Sequence, residues 1–285
     1  MQSKKSHPVL YIVLVLLISW VVQTVLFTGI VPQIPIVLYM FVPAVLAFLF
    51  FLFLKNPWRK QALLFTSGPV IKSLAFAFIY PFVWFSLAAI LALITGTGKI
   101  NCDFVPSLVS GPFISSLLLA FLILLPSMFG EEYGWRGYLL PALTEKYSKT
   151  TSAIVVGGVW GAWHIPSYYL AYVSADMGNP FLMTLLGIAV TFVASFPYAY
   201  CFFLSRNIIP LVVLHGVHDL TAQAIFFGSP GIPGLQEAQP ALISINWPAP
   251  LLFMFIVGLV FVPLFIKLFT RLDQKKRRPI LEKRL

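Results

Sequence analysis

The chain has 285 residues, of which 59% are hydrophobic and only 10% are charged, and its mean hydropathy is +0.92. Soluble domains carry about a quarter charged residues, so this composition excludes a soluble enzyme or binding module. The formal net charge of +10 does not indicate a nucleic-acid partner, because basic residues collect in the cytoplasmic loops of membrane proteins.

Eight apolar segments long enough to span a bilayer follow one another along the chain. We predict spanning helices near residues 9–30, 34–54, 71–95, 112–143, 152–173, 181–204, 208–228 and 248–270. Lysines and arginines concentrate at every second connection and at both ends of the chain, which places both termini in the cytoplasm. The sequence therefore predicts an all-α polytopic membrane protein of about eight transmembrane helices, in a single membrane domain over residues 1–285.

The C-terminal segment 271–285, RLDQKKRRPILEKRL, is strongly basic, with seven lysines and arginines and two acidic residues. Such a cluster beside a span commonly meets anionic lipid headgroups, although it also serves simply to fix topology. We predict a basic cytoplasmic tail with anionic lipids as partners. We interpret the chain as an integral protein of a bacterial plasma membrane.

The fourth predicted span carries the charged segment FGEEYGWRGYLLP. A charged side chain at the centre of a spanning helix costs about 2.5–3.5 kcal/mol, so these charges need either partners or a function. Glu132 and Arg136 are four residues apart and share a helix face, which predicts an ion pair. Glu131 has no basic residue at helical spacing. We therefore predict that Glu131 is the carboxylate that accepts a proton.

Three histidines and one further carboxylate lie in later predicted spans. His164 stands in GGVWGAWHIP, where two glycines four residues apart permit close helix contact. His215 and Asp219 are four residues apart in HGVHD and share a helix face. Counted from the inner ends of their spans, His164, His215 and Glu131 lie at similar depths of about 12–21 Å. We therefore expect the fourth, fifth and seventh spans to converge on one polar site.

Each of these residues also has a plainer interpretation. A single intramembrane histidine often only bridges two helices, and the pair of Glu132 with Arg136 is by itself a structural feature. We interpret His218 as a residue that packs near the site or supports it, and the tryptophans Trp135, Trp160 and Trp163 as packing or membrane-interface residues. A functional site is favoured because the polar residues fall together on three helices at compatible depths.

The three motifs, in this order, resemble those of the CAAX prenyl protease and bacteriocin-processing family of intramembrane endopeptidases, which is related to the Ras converting enzyme. EEYGWR matches the family motif EExxxR, WGAWH is similar to FxxxH with Trp160 in place of Phe, and HGVHD is similar to HxxxN or HxxxD. The resemblance covers about residues 112–228, the motif-bearing core. It implies an all-helical fold around a polar cavity open to the cytoplasm and bilayer, and hydrolysis of a membrane-associated peptide or protein.

The resemblance also implies roles for single residues. Glu131 together with His164 would activate a water molecule, and His215 with Asp219 would stabilise the oxyanion. An aspartate can donate a hydrogen bond to an oxyanion only when it is protonated, which distinguishes Asp219 from the asparagine of some relatives. Two further residues would support the site: Glu132 and Arg136.

Two alternatives stay open at the level of sequence. Glu131, His164 and His215 resemble a catalytic zinc set with water as the fourth ligand, but the chain has no HExxH motif, so we favour a site without a metal or other cofactor. The polar cluster also suits a proton-coupled transporter or a non-catalytic immunity or scaffold protein. Many bacterial members of the resembled family are associated with bacteriocin maturation or immunity.

Overall fold

The computed structural model describes residues 7–31, 35–53, 70–176, 178–228 and 240–282, and side chains as far as residue 274. The α-helices are α1 (Pro8–Phe27), α2 (Val42–Phe53), α3 (Val70–Ile94), α4 (Gly111–Glu132), α5 (Leu140–Thr144), α6 (Lys149–Trp163), α7 (Ile165–Ser174), α8 (Pro180–Ser205), α9 (Ile209–Ala222) and α10 (Ala249–Glu282). Turns of 3₁₀-helix cover Ile36–Phe41 and Val105–Val109, and π-helical turns cover Tyr133–Leu139 and Gln223–Phe227.

The predicted all-α membrane architecture is confirmed. Within the described ranges, six helical segments are long and apolar enough to cross a bilayer: Pro8–Phe27, Val70–Ile94, Gly111–Thr144, Pro180–Ser205, Ile209–Phe227 and Ala249–Gln274. The predicted span 34–54 corresponds to the shorter apolar helix Val37–Phe53, and its end residues 34 and 54 lie outside the described residues. The number of spans and the side of each terminus stay predictions.

Two features differ from the sequence prediction. The predicted span 152–173 is not one continuous helix, because α6 ends at Trp163 and α7 begins at Ile165. Pro166 has no backbone N–H and so cannot continue the helical hydrogen-bond ladder at this point. In addition, the loops after α3 and before α10 pair as a two-stranded antiparallel ribbon of β1 (Gly98–Ile100) and β2 (Ile243–Ile245).

Capping residues explain where several helices begin. Ser110 accepts a hydrogen bond from the N–H of Phe113 before α4, and Ser148 accepts one from Thr151 before α6. Asn179 caps α8, where a proline follows it at the first helical position. Short polar side chains satisfy N–H groups that have no partner within the helix, and proline has no N–H to satisfy there.

Glycines allow two close helix contacts around the motif-bearing helices. A Cβ atom on Gly157 would lie 2.9 Å from the carbonyl oxygen of Phe192, so α6 packs directly on the backbone of α8. A Cβ atom on Gly134 would lie 2.4 Å from the Cβ of Pro43, so α2 and the turn before it press against the acidic motif. The close contact predicted from the glycines of GGVWG is therefore present.

The basic C-terminal segment continues α10 as far as Glu282, and residues 283–285 lie outside the described residues. Asp273, near the start of this segment, pairs with Lys149 at the beginning of α6. The ammonium group of Lys149 also lies 5.5 Å from the ring centroid of Phe203 in α8. The ion pair joins α10 at Asp273 to the start of α6.

Candidate active site

The acidic motif lies where α4 passes into a π-helical turn. α4 ends at Glu132, the π-helical turn covers Tyr133–Leu139, and α5 follows it. All side chains from residue 130 to residue 143 are buried, so the motif is enclosed by protein. Single π-helical turns are rare and occur frequently at functional sites, where the extra residue in the turn redirects side chains.

Glu132 and Arg136 form the predicted ion pair. Nη1 of Arg136 lies 3.0 and 3.2 Å from the two carboxylate oxygens of Glu132, and both side chains are fully buried. The guanidinium carbon lies 4.1 Å from the ring centroid of Trp160 and 4.6 Å from that of Tyr198. Aromatic faces attract a desolvated guanidinium, so two rings and one carboxylate compensate this buried charge.

His215 joins the ion pair to the third motif. Its Nδ1 lies 2.9 Å from Oε1 of Glu132, and since a carboxylate only accepts, Nδ1 carries the proton and donates it. Its Nε2 lies 3.6 Å from Oδ2 of Asp219 on the next turn of α9. His215 therefore stands between two carboxylates from two different helices, with its Nε2 towards Asp219.

Glu131 is held by neutral donors rather than by a cation. Its Oε2 accepts hydrogen bonds from the indole N–H of Trp160 at 2.8 Å and from that of Trp135 at 3.3 Å. In the part of the chain that the structure describes, no lysine, arginine or histidine pairs with Glu131, although it is only 1% exposed. The two glutamates thus have the different environments that their spacing from Arg136 predicts.

Trp160 has a larger part than the packing residue that we predicted from sequence. Its side chain donates to Glu131, its ring covers Arg136, and its backbone carbonyl lies 2.8 Å from Nδ1 of His164. A buried indole N–H usually requires an acceptor, and this requirement is the signal that could have pointed to Trp160. The residue links the acidic motif to the second motif.

His164 lies at the break between α6 and α7. Because a carbonyl oxygen only accepts, Nδ1 of His164 donates its proton to Trp160 and Nε2 carries the lone pair. The imidazole stacks on Tyr168, with ring centroids 4.6 Å apart, and meets the edge of Trp163 at 4.7 Å. The ring is therefore held in one orientation with a basic nitrogen available.

Asp219 is the most accessible residue of the cluster. Its side chain is 37% exposed and lines a cavity of about 490 Å³ together with Gln223, Phe226, Phe227 and Trp247. Nδ1 of His218 lies 3.4 Å from Oδ1 of Asp219, while the His218 ring packs between Trp84 and Phe85, as expected for a packing residue. Of the six residues of the cluster, Asp219 is the one that lines this cavity.

The structure brings all six predicted site residues into one cluster: Glu131, Glu132, Arg136, His164, His215 and Asp219. In the alternative zinc set of Glu131, His164 and His215, two of the candidate ligand atoms already have hydrogen-bond partners. Oε2 of Glu131 is occupied by two indole donors, and Nδ1 of His215 faces Glu132. Across the described residues, no group of three or more His, Cys, Asp or Glu side chains is placed to hold a metal ion.

Residues 113–221 match the sequence model of the family described as Rce1-like, the type II CAAX prenyl endopeptidases. The match contains all three motifs and all six residues of the cluster. This segment is similar to the Rce1-like family. The family resemblance predicted from EExxxR, FxxxH and HxxxD is therefore confirmed, and the protein is an integral membrane protein.

One curated relative of the Rce1-like segment is CAAX prenyl protease 2 of Methanococcus maripaludis. It is 28% identical over 141 residues, which are 46% of this chain and 45% of that protein. The match thus spans less than half of the relative's length. Helices outside the Rce1-like segment also contact the site. Gln23 of α1 bonds to the carbonyl of the residue before His164. Trp84 of α3 packs on His218, the residue before Asp219.

Proposed function

We propose that the protein is an intramembrane endopeptidase that hydrolyses a peptide bond with a water molecule activated by Glu131 and His164. The observation that supports this proposal most strongly is that Trp160 binds both Glu131 and His164. Each of these two side chains keeps a basic atom without a hydrogen bond among the described residues. A general base must lie within reach of the water whose proton it takes.

The first step is the attack of water on the substrate carbonyl. Within the described residues, Oε1 of Glu131 accepts no hydrogen bond, because both indole donors bind Oε2. Oε1 would take one proton from the water while Nε2 of His164 orients it, and the hydroxide oxygen would form a bond to the carbonyl carbon. This step leaves a negative charge on the former carbonyl oxygen.

The second step is collapse of the tetrahedral intermediate. His215, protonated on both ring nitrogens, would donate from Nε2 to the oxyanion, and protonated Asp219 would donate a second hydrogen bond, since preorganised donors stabilise charge that develops in the transition state. Glu132 and Arg136 would keep the His215 ring in place through Nδ1. The C–N bond then breaks, and Glu131 returns its proton to the leaving amine, so that one water is consumed and two peptide fragments are released.

A lipid-modified substrate is supported by a second cavity. This cavity of about 440 Å³ lies between α3, α4 and α9 and is lined almost only by apolar side chains, including Phe78, Phe82, Phe113 and Phe121. It borders the helix that carries His215 and Asp219. We therefore propose that the substrate is a prenylated peptide, in line with the name of the relative, and that it is processed at a bacterial plasma membrane.

The test is cleavage of defined peptides by the purified protein in liposomes. Peptides that end in a CAAX sequence, with and without a prenyl group on the cysteine, are followed by mass spectrometry. We expect the prenylated peptide to be cut by the wild-type protein and not by His164→Ala. If neither peptide is cut and the same liposomes show proton-driven flux, the transporter alternative replaces this proposal. A retained immunity phenotype in His164→Ala would favour the non-catalytic scaffold.

Asp219→Asn is expected to keep substantial activity, whereas Asp219→Ala loses about 10²–10³-fold, the usual effect of removing one oxyanion donor. An asparagine amide donates a hydrogen bond without needing a proton from solution. Cleavage of the prenylated peptide measures both variants, and Gln223→Ala, which changes another residue of the same cavity, is the control. An inactive Asp219→Asn protein that has also lost a stoichiometric metal ion would instead support the zinc alternative.

A further inference from the structure

We propose that Gln23 of α1 is a positioning residue for His164. Its side-chain amide replaces the backbone hydrogen bond that is lost at the break between α6 and α7, and so fixes the orientation of the imidazole. The kinetic part of this proposal rests on the proposed function, whereas the orientation of the ring does not.

The break leaves backbone groups without helical partners. In a continuous α-helix the N–H of residue 167 would bond to the carbonyl of residue 163, and that of residue 166 to residue 162. Residue 166 is proline, which has no N–H. The backbone at His164 departs from helix with ψ at −4°, and within the described backbone the N–H of Ser167 makes no bond to the carbonyl of Trp163.

Side chains of α1 supply the missing partners. Nε2 of Gln23 donates to the carbonyl oxygen of Trp163 at 2.9 Å, and Oε1 of Gln23 accepts from the N–H of Ser167 at 3.1 Å. One amide thus occupies the place of one helical hydrogen bond and satisfies both of its ends. Nε1 of Trp20, three residues earlier on α1, donates at 3.0 Å to the carbonyl of Ala162, which is the carbonyl that Pro166 cannot serve.

The burial of Gln23 explains why its side-chain amide takes the place of the missing backbone hydrogen bond. Gln23 is fully buried in α1, and an unsatisfied backbone group inside a membrane is costly. The orientation of the amide is unambiguous, because a carbonyl can only accept and an N–H can only donate. Neither Gln23 nor Trp20 lies in the matched segment 113–221.

The two groups that Gln23 binds flank His164 on both sides. The carbonyl of Trp163 precedes His164 and the N–H of Ser167 follows it, so the amide holds the short segment that sets the direction of the ring. Within that segment the carbonyl of His164 accepts from the N–H of Tyr168 at 2.9 Å and from the hydroxyl of Ser167 at 3.1 Å. Without Gln23, the imidazole would lose its fixed hydrogen bond to Trp160 and its stacking on Tyr168.

The test compares Gln23→Met with Tyr11→Phe in the full-length protein. Methionine keeps the length of the side chain and removes both hydrogen bonds. The control removes a different buried hydrogen bond of α1, from the Tyr11 hydroxyl to the carbonyl of Pro43, which does not touch His164. We expect Gln23→Met to lower kcat for the prenylated peptide about 10- to 100-fold at unchanged KM, since a displacement of about 1 Å has effects of this size.

A spectroscopic readout separates positioning from stability. In protein labelled with ¹⁵N-histidine, we expect His164 to give the signal of a single tautomer, with the proton on Nδ1, in wild type and in Tyr11→Phe. Gln23→Met should give an averaged signal. An unchanged His164 signal in Gln23→Met would overturn the proposal, and so would an unchanged kcat in an active protein. If the wild type cuts no peptide, the proposed function fails, and the tautomer signal alone still decides whether Gln23 orients His164.

Discussion

Replacing Glu131 by glutamine is expected to lower the rate of peptide cleavage about 10²–10⁴-fold, the usual contribution of a general base. Glutamine has nearly the same shape, and its amide oxygen still accepts hydrogen bonds from Trp160 and Trp135. It cannot take a proton from water. The protein should therefore fold normally and bind substrate, and the loss should appear in kcat, measured on the prenylated peptide in liposomes.

Asp103→Asn is the matched control, because it neutralises an exposed carboxylate on a turn outside the three motif-bearing helices. It should cleave at the wild-type rate. Thermal unfolding in detergent checks that Glu131→Gln is folded. A Glu131→Gln protein that keeps more than about 1% of wild-type turnover would remove Glu131 from the role of general base.

Arg136→Ala is expected to destabilise the protein by about 3–5 kcal/mol, the usual result of removing one partner of a buried ion pair. Within the described residues, Glu132 would then keep only the ring of His215 as a hydrogen-bond partner, in a fully buried position. The guanidinium contacts with Trp160 and Tyr198 would also be lost. Glu131→Ala should cost much less, because Glu131 has only neutral donors and leaves no charge behind. Unfolding temperatures in detergent compare the two variants.

The double variant Glu132→Gln/Arg136→Met tests the cause of this loss. It removes both charges and keeps side chains of similar size, and replacing a whole buried pair is often neutral. We expect the double variant to be more stable than Arg136→Ala and more stable than Arg136→Met alone. Equal unfolding temperatures for Arg136→Ala and Glu131→Ala would contradict the different environments of the two glutamates.

The helical segments were predictable because they depend on local composition. Uninterrupted apolar runs identified the positions of α1, α3, α8 and α10, and the predicted span 112–143 is present as the segment Gly111–Thr144. Helical spacing within one span also identified the pair of Glu132 with Arg136 and the shared face of His215 and Asp219. Each of these features involves residues no more than four positions apart or a single apolar run.

The break at His164 and the π-helical turn after Glu132 were not predicted, for different reasons. Pro166 was a visible signal for the break, since it removes an N–H two residues after His164. The π-helical turn has no comparable signal. It accompanies close packing of Gly134 against Pro43, which lies 91 positions earlier and becomes a neighbour only in the folded protein.

The tertiary contacts of the site were also beyond the sequence. Trp160 lies 29 residues from Glu131, and Gln23 lies 140 residues from Trp163. Nothing in the local pattern around Gln23 separates it from any other polar residue in a span. The two residues that orient His164 therefore became visible only when α1, α6 and the acidic motif were placed together.

The most direct test of the central claim is a comparison of peptide termini in membranes that contain either the wild-type protein or Glu131→Gln at equal abundance. Mass spectrometry identifies the ends of all membrane-associated peptides in both samples. If the protein is an intramembrane endopeptidase that uses Glu131, a defined set of new termini with a common sequence around the cut will be found with the wild type and will be missing with Glu131→Gln. Identical sets of termini in the two samples would contradict the account.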